Sequence, residues 1–130
     1  VIFVDTNVFI YAVGREHPLR ERARRFFLQS IGRGEPFVTS AEVMQELVHA
    51  YLPAGRLDTL DAALLLVESS VAEIWPIEAE DVRTARMLLA RHPELGSRDL
   101  IHLACCRRRN AGSIQTFDRA LAKAFAEERE

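Results

Sequence analysis

Val1-Ile2-Phe3-Val4-Asp5-Thr6-Asn7-Val8 reads as a short, continuously apolar strand that runs straight into a carboxylate. Four apolar residues without polar alternation are the pattern of a strand covered on both faces, as in a parallel sheet. Ser113-Ile114-Gln115-Thr116-Phe117-Asp118 repeats the arrangement far along the chain: a brief strand, an acid, and then a helix. Between these two junctions the sequence predicts strands at Pro36–Thr39 and Ala72–Trp75. Helices are expected near Asn7–Val13, Leu19–Ile31, Leu57–Glu68, Ala79–Ala90 and Ser97–Arg109, with Ser97 as an N-cap and Gly112 marking the last one's end. Thr39-Ser40-Ala41-Glu42 has capping-box spacing and opens a further helix, whose apolar stripe is Val43, Leu47, Ala50 and Tyr51. Gly32 and Gly34 close the second helix.

Strands separated by helices argue for an α/β fold with a central parallel sheet, whose strand order the pattern does not reveal. In such sheets ligands collect beyond the carboxyl ends of the strands. Asp5 and Asp118 stand at those ends. Either acid alone is accounted for as a helix N-cap, but two strand-then-acid junctions in one small sheet point to shared chemistry. Asp99, in the first turn of its helix, has the simpler role of opposing the helix dipole, and Glu46 that of a surface side chain at the edge of an apolar stripe. Were all four to converge, each pair of carboxylates ~4 Å apart would repel by about 4 kcal/mol at an effective dielectric of 20. A hard divalent cation resolves that repulsion, and such a centre can polarise a phosphodiester and activate water.

Composition sets wider bounds. The 130 residues suit one domain, with 48% hydrophobic and 28% charged residues as in ordinary globular proteins. The longest apolar run, Ala62 to Val67, falls far short of the roughly 20 residues needed to span a bilayer. Val1 to Val4 is too short for a secretory segment, and adjacent Cys105 and Cys106 form no disulfide framework, so the expected location is the reducing cytoplasm without membrane attachment. A net charge of −2 disfavours nucleic-acid binding by bulk basicity. All but one of the 17 basic residues are Arg, clustered at Arg20, Arg22, Arg24 and Arg25 and again at Arg107, Arg108 and Arg109. Each cluster reads as a solvated helix face, with phosphate contact as the functional alternative. His17, His49, His92 and His102 show no paired ligand spacing, and His102, three residues past Asp99, reads as an ordinary polar helix residue. Cys105 and Cys106 read as buried small residues, and Trp75 as a core or interface anchor.

Val4-Asp5-Thr6-Asn7-Val8, the helix carrying Ser40 and Glu46-Leu47, Arg98-Asp99-Leu100-Ile101-His102 and Thr116-Phe117-Asp118 together resemble the PIN-domain family, and most nearly its VapC-type toxin ribonucleases. The likeness runs over nearly the whole chain. It implies a three-layer α/β/α domain over residues 1–130 and a Mg²⁺- or Mn²⁺-dependent endoribonuclease, the toxin of a type II toxin–antitoxin pair. It further implies Asp5 and Asp99 as principal metal ligands, Glu46 and Asp118 completing the pocket, and Thr6, Asn7 and Thr116 as supporting polar positions. RNA as substrate, a small VapB-type antitoxin and a homodimer are the implied partners. The helix from Leu57, rich in Leu60, Leu64, Leu65, Leu66 and Val67, carries more apolar surface than one face needs, which also argues for a dimer. Two rival readings remain: an aspartyl phosphotransfer enzyme, which commonly wants a second acid where this chain has Asn7, and a metal-binding RNA or protein interaction module without catalysis.

Overall fold

A computed structural model describes residues 1–29, 32 and 34–130. The elements run β1 (Ile2–Val4), α1 (Thr6–Val13), α2 (Arg20–Gln29), β2 (Phe37–Ser40), α3 (Ala41–Tyr51), α4 (Leu57–Ser70), β3 (Glu73–Trp75), α5 (Ala79–Leu88), α6 (Ser97–Arg108), β4 (Ser113–Gln115) and α7 (Arg119–Glu128). The four strands form one parallel sheet in the order β3-β2-β1-β4. The expected elements are all present with ends shifted by a few residues, except that the proposed end of α2 at Ile31 lies outside the described residues.

Strand order explains the layers. The chain steps from β1 to β2 to β3 in one direction, then crosses back over the sheet to β4 on the far side of β1. Right-handed crossovers therefore place α1–α4 on one face and α5–α6 on the other. The packing agrees: α1 meets α2 and α4, α3 meets α4, and α5, α6 and α7 pack together. The reversal falls between β1 and β4, so the crevice of this doubly wound sheet opens beyond their carboxyl ends. Phe3, Val4, Val8, Phe9, Leu47, Leu103 and Leu121 fill the core on either side of the sheet. Trp75 is a core anchor, stacked on Phe3 with ring centroids 5.9 Å apart. No described helix is long and apolar enough to cross a membrane.

Several local expectations need correction. Ser40, not Thr39, caps α3: its hydroxyl accepts from the Val43 amide, which leaves no acidic residue at the reciprocal position of a capping box. The Thr39 hydroxyl instead donates to the Val4 carbonyl (2.8 Å), fastening β2 to the end of β1. Ala50 is exposed, leaving Val43, Leu47 and Tyr51 as the buried stripe. Gly96 rather than Ser97 precedes the first turn of α6, and Asn110 rather than Gly112 turns the chain after it, at φ 59°. Asn tolerates that left-handed conformation because its short polar side chain is accommodated there. Most of the apolar surface of α4 is absorbed by the fold: Leu60, Ala63 and Val67 are buried and Leu64 and Leu66 half-buried, while Leu57 and Leu65 remain exposed.

The second arginine cluster is engaged in ion pairs, although Arg107 and Arg108 remain exposed. Arg108 and Arg109 of α6 donate to Asp81 Oδ1 at 2.6 and 2.8 Å, and Arg109 also reaches Glu78 and the Pro76 carbonyl. Arg107 joins Arg91 on Glu128, which also contacts His92. These ion pairs tie α6 to α5 and α7. Of the first cluster, Arg24 donates to the Ala12 carbonyl, and Arg22 and Arg25 are exposed.

Candidate functional site

The two strand–helix junctions are joined across the crevice through Thr116, whose hydroxyl donates to Asp5 and accepts from the Asp118 amide. Asp5 caps α1, its Oδ1 accepting from the Thr6 amide at 2.7 Å. The Asp5 amide donates to the Gln115 carbonyl, so the end of β4 holds the residue in place. From the same junction the Thr116 hydroxyl donates to Asp5 Oδ2 at 2.6 Å. Asn7 bridges the two strands as well: its Nδ2 donates to Thr116 Oγ1 and its Oδ1 accepts from the Phe117 amide. Asp118 Oδ1 accepts from the amides of Ala120 and Leu121, capping α7. At Asp118 the cap employs only Oδ1, whereas Asp5 uses Oδ1 for its cap and receives the Thr116 hydroxyl on Oδ2.

Glu46 arrives from α3. It lies one and a half turns past Ser40, where the helix has just left the carboxyl end of β2, and so it overhangs the crevice. Its Oε2 accepts from the Thr6 hydroxyl, and its Oε1 meets His102 Nε2 at 2.8 Å. His102 is fully buried on α6, with Nε2 also 3.6 Å from Asp5 Oδ1. Asp5, Glu46 and His102 accordingly offer ligand-type atoms all within 4.8 Å of one another. Asp99, one turn before His102 on α6, lines an open cleft with Glu46, Gly96, Ser97 and Arg98.

The electrostatics agree with this crowding. Burial, followed by the nearby Asp5 and Asp118 carboxylates, raises the Asp99 pKa to about 6. Burial also raises Asp5, against the opposing pull of His102 and of the Thr116 and Thr6 hydrogen bonds. Glu46 goes the other way: burial works against its charge, but the His102 hydrogen bond and charge outweigh it. His102 is raised despite burial, through its bond to Glu46 and the charges of Asp5, Glu46 and Asp99. Asp5 and Glu46 thus gather around the buried His102 imidazole, Asp99 lines the adjoining cleft with Glu46, and the Asp118 charge acts on Asp99. That surplus of hard oxygen donors fits a divalent cation of the Mg²⁺ type, which takes carboxylates while keeping waters.

His102 is the residue that sequence reasoning passed over. It is no ordinary polar helix residue: the fold buries it and bonds it to Glu46, 56 positions away. Its spacing from Asp99, one helical turn, was the available signal. Glu42 was also missed as a neighbour of the site. It stands one turn before Glu46 on α3, and burial together with the Glu46 charge raises its pKa. Cys105 and Cys106 are buried free thiols, as expected, with burial pushing Cys105 up to about 12 and keeping it unreactive.

Comparison with known proteins agrees with this architecture. Residues 2–126 match the PIN domain family. The ribonuclease VapC23 of Mycobacterium tuberculosis is 61% identical over 125 residues, covering 96% of this chain and 98% of the relative. The crystal structure of M. tuberculosis VapC20, a sarcin–ricin-loop-cleaving toxin, superposes with a TM-score of 0.81 at 21% identity, covering 95% of both chains. VapBC2 of Rickettsia felis, bound to a DNA fragment from its promoter, superposes with a TM-score of 0.66 at 17% identity, covering 88% of this chain and 85% of that one. A doubly wound sheet with acids at its switch point, together with a full-length match at this identity, leads to one conclusion: the chain belongs to the PIN-domain family, among the VapC-type ribonucleases.

Proposed function

We propose that residues 1–130 form a single nuclease domain that cuts RNA internally, and that Asp5, Glu46, Asp99 and Asp118 hold its Mg²⁺ or Mn²⁺. The observation that carries this reading is that Asp5, Glu46 and His102 bring ligand-type atoms within 4.8 Å of one another, with Asp99 lining the adjoining cleft and raised to about 6 by burial and neighbouring carboxylates. The cation, when bound, would polarise the phosphodiester and favour attack by water at phosphorus. The chain's own residues set the geometry. Thr116 and the Thr6 amide fix both oxygens of Asp5. The Thr6 hydroxyl and His102 fix both oxygens of Glu46. Asn7 locks the β4–α7 junction to α1, so that Asp118 keeps its distance from Asp5. Asn7 is thereby engaged in positioning, which disfavours the aspartyl phosphotransfer reading that wants an acid there.

The domain acts in the cytoplasm as the toxin of a VapBC pair. A free ribonuclease harms its own cell, so a VapB-type antitoxin restrains it. The apolar groove between α2 and α4, where Leu28 and Leu65 are 69% and 66% exposed, supplies anchors for the antitoxin segment, with a basic side chain of the antitoxin offsetting the pocket's charge. The exposed Leu57 end of α4 is assigned to a second copy of the chain, giving a homodimer. In a host that carries no antitoxin, expression of the chain is expected to arrest growth; Asp5→Asn or the adjacent antitoxin frame should abolish the arrest. A folded, expressed wild-type chain that leaves growth unaffected overturns the toxin reading. Sedimentation at micromolar concentration tests the dimer, and a single 14.7 kDa species contradicts it.

A further inference from the structure

A second cluster borders the acidic crevice and takes no part in holding the carboxylates. Phe117 lies between Thr116 and Asp118, and its amide donates to Asn7 Oδ1 at 3.2 Å. Its backbone is thus set by Asn7 and Thr116, the residues that brace the Asp5 side of the crevice. Tyr11 of α1 meets Phe117 edge-on, with centroids 5.6 Å apart and planes at 75°. His17, in the segment between α1 and α2, tilts over Tyr11 at 4.6 Å, its ring oriented by the Leu19 amide donating to Nδ1. Arg22 of α2 holds its guanidinium 5.4 Å from the centre of the Phe117 ring.

Tyr11 and Phe117 pack against the core on one side, and two features leave the cluster open on the other. Tyr11 and Phe117 are only half-buried, and His17 and Arg22 are exposed. Arg22 also has no carboxylate partner among the described residues, unlike Arg107, Arg108 and Arg109. A guanidinium resting on a ring keeps its full charge and its donors for a phosphate. An aromatic face beside it accepts a base of any identity, provided that base is unpaired. The position, directly against Asp118, adjoins the place where a phosphodiester would be held.

We infer that Tyr11, His17, Arg22 and Phe117 form a rim that binds single-stranded RNA next to the cleaved bond. A base stacks on Phe117, Tyr11 and His17 hold that ring in place, and Arg22 contacts a phosphate. The inference rests on the ribonuclease reading and names how the substrate is gripped. Binding is measured by fluorescence anisotropy with a labelled short single-stranded RNA in EDTA and an Asp99→Asn background, which together suppress cleavage and leave every hydrogen bond around Phe117 intact. Phe117→Leu keeps apolar bulk but removes the π face, and its Kd is expected to rise about tenfold. Phe117→Trp restores tight binding, which a purely structural role would not require. Arg22→Gln reduces the slope of log Kd against log salt by roughly one phosphate contact. Duplex RNA of the same sequence binds more weakly than the single strand. An unchanged Kd for Phe117→Leu, or duplex binding as tight as single-strand binding, overturns the stacking assignment. An unchanged salt slope for Arg22→Gln overturns the phosphate contact, and this variant carries the test should Phe117→Leu fail to fold. Failure of the nuclease reading is separate and shows as RNA cleavage insensitive to Asp99→Asn.

Discussion

Asp99→Asn lowers RNA cleavage on the order of a hundredfold or more while the protein stays folded. The amide is nearly isosteric with the carboxylate, so the half-buried side chain still fills its place on α6. It removes one of the charges that a cation needs, and cation affinity falls with it. Folding responds in the opposite direction. In the cation-free chain, burial and the charges of Asp5 and Asp118 make the ionised Asp99 unfavourable, which is why its pKa stands at about 6. A neutral Asn relieves that repulsion, so the variant melts at a higher temperature than wild type in EDTA, and excess Mg²⁺ narrows the gap because it stabilises only the wild type. Activity assays and thermal melts with and without EDTA check both halves. A variant that is equally active, or one that melts lower in EDTA, contradicts the placement of Asp99 among like charges.

Arg109→Met destabilises the fold by about 1.5–3 kcal/mol, the range for losing hydrogen bonds to a charged group. Asp81 is completely buried, and Arg109 reaches both of its oxygens while also bonding Glu78 and the Pro76 carbonyl. Met replaces the stem but leaves the Asp81 charge with only Arg108 and the Glu78 amide. Burial on its own would raise the Asp81 pKa, but the hydrogen bonds from Arg109, the Glu78 amide and Arg108 hold it at about 2. Because the folded value lies below the unfolded one of 3.8, this carboxylate contributes stability above about pH 4, of the order of 2 kcal/mol. That contribution is lost as pH falls through about 2. Arg109→Met therefore also moves the acid-unfolding midpoint to higher pH. Urea melts at neutral and acidic pH measure both effects, and a loss below about 1 kcal/mol would show that Arg108 suffices.

The two strand–acid junctions were legible because both signals are local: an apolar run of strand length, followed at once by a residue that burial disfavours. They also point to one crevice, since the structure places Asp5 and Thr116–Asp118 at the switch point between β1 and β4. Strand order was not legible, because which strands pair depends on where whole helices pack. His102 was missed for the same reason. Its meaning comes from Glu46 on another helix, and no spacing along the chain connects them. The arginine run at 107–109 misled in a related way. Three adjacent cations look like a solvated or phosphate-binding face until α5 and α7 bring Asp81, Glu78 and Glu128 against them. The capping-box spacing pointed to Thr39 instead of Ser40 because either hydroxyl can cap a helix, and only the path of the backbone decides which one faces the free amides.

The central claim is that the carboxylates converge to hold a cation that RNA cleavage requires. Its most direct test is cleavage of a labelled RNA by purified wild-type chain, first stripped with EDTA and then titrated with Mg²⁺ or Mn²⁺. No cleavage is expected in EDTA, with activity returning as the cation is added and saturating at a concentration that Asp99→Asn shifts upward. Full cleavage by the wild-type chain in saturating EDTA would contradict the claim.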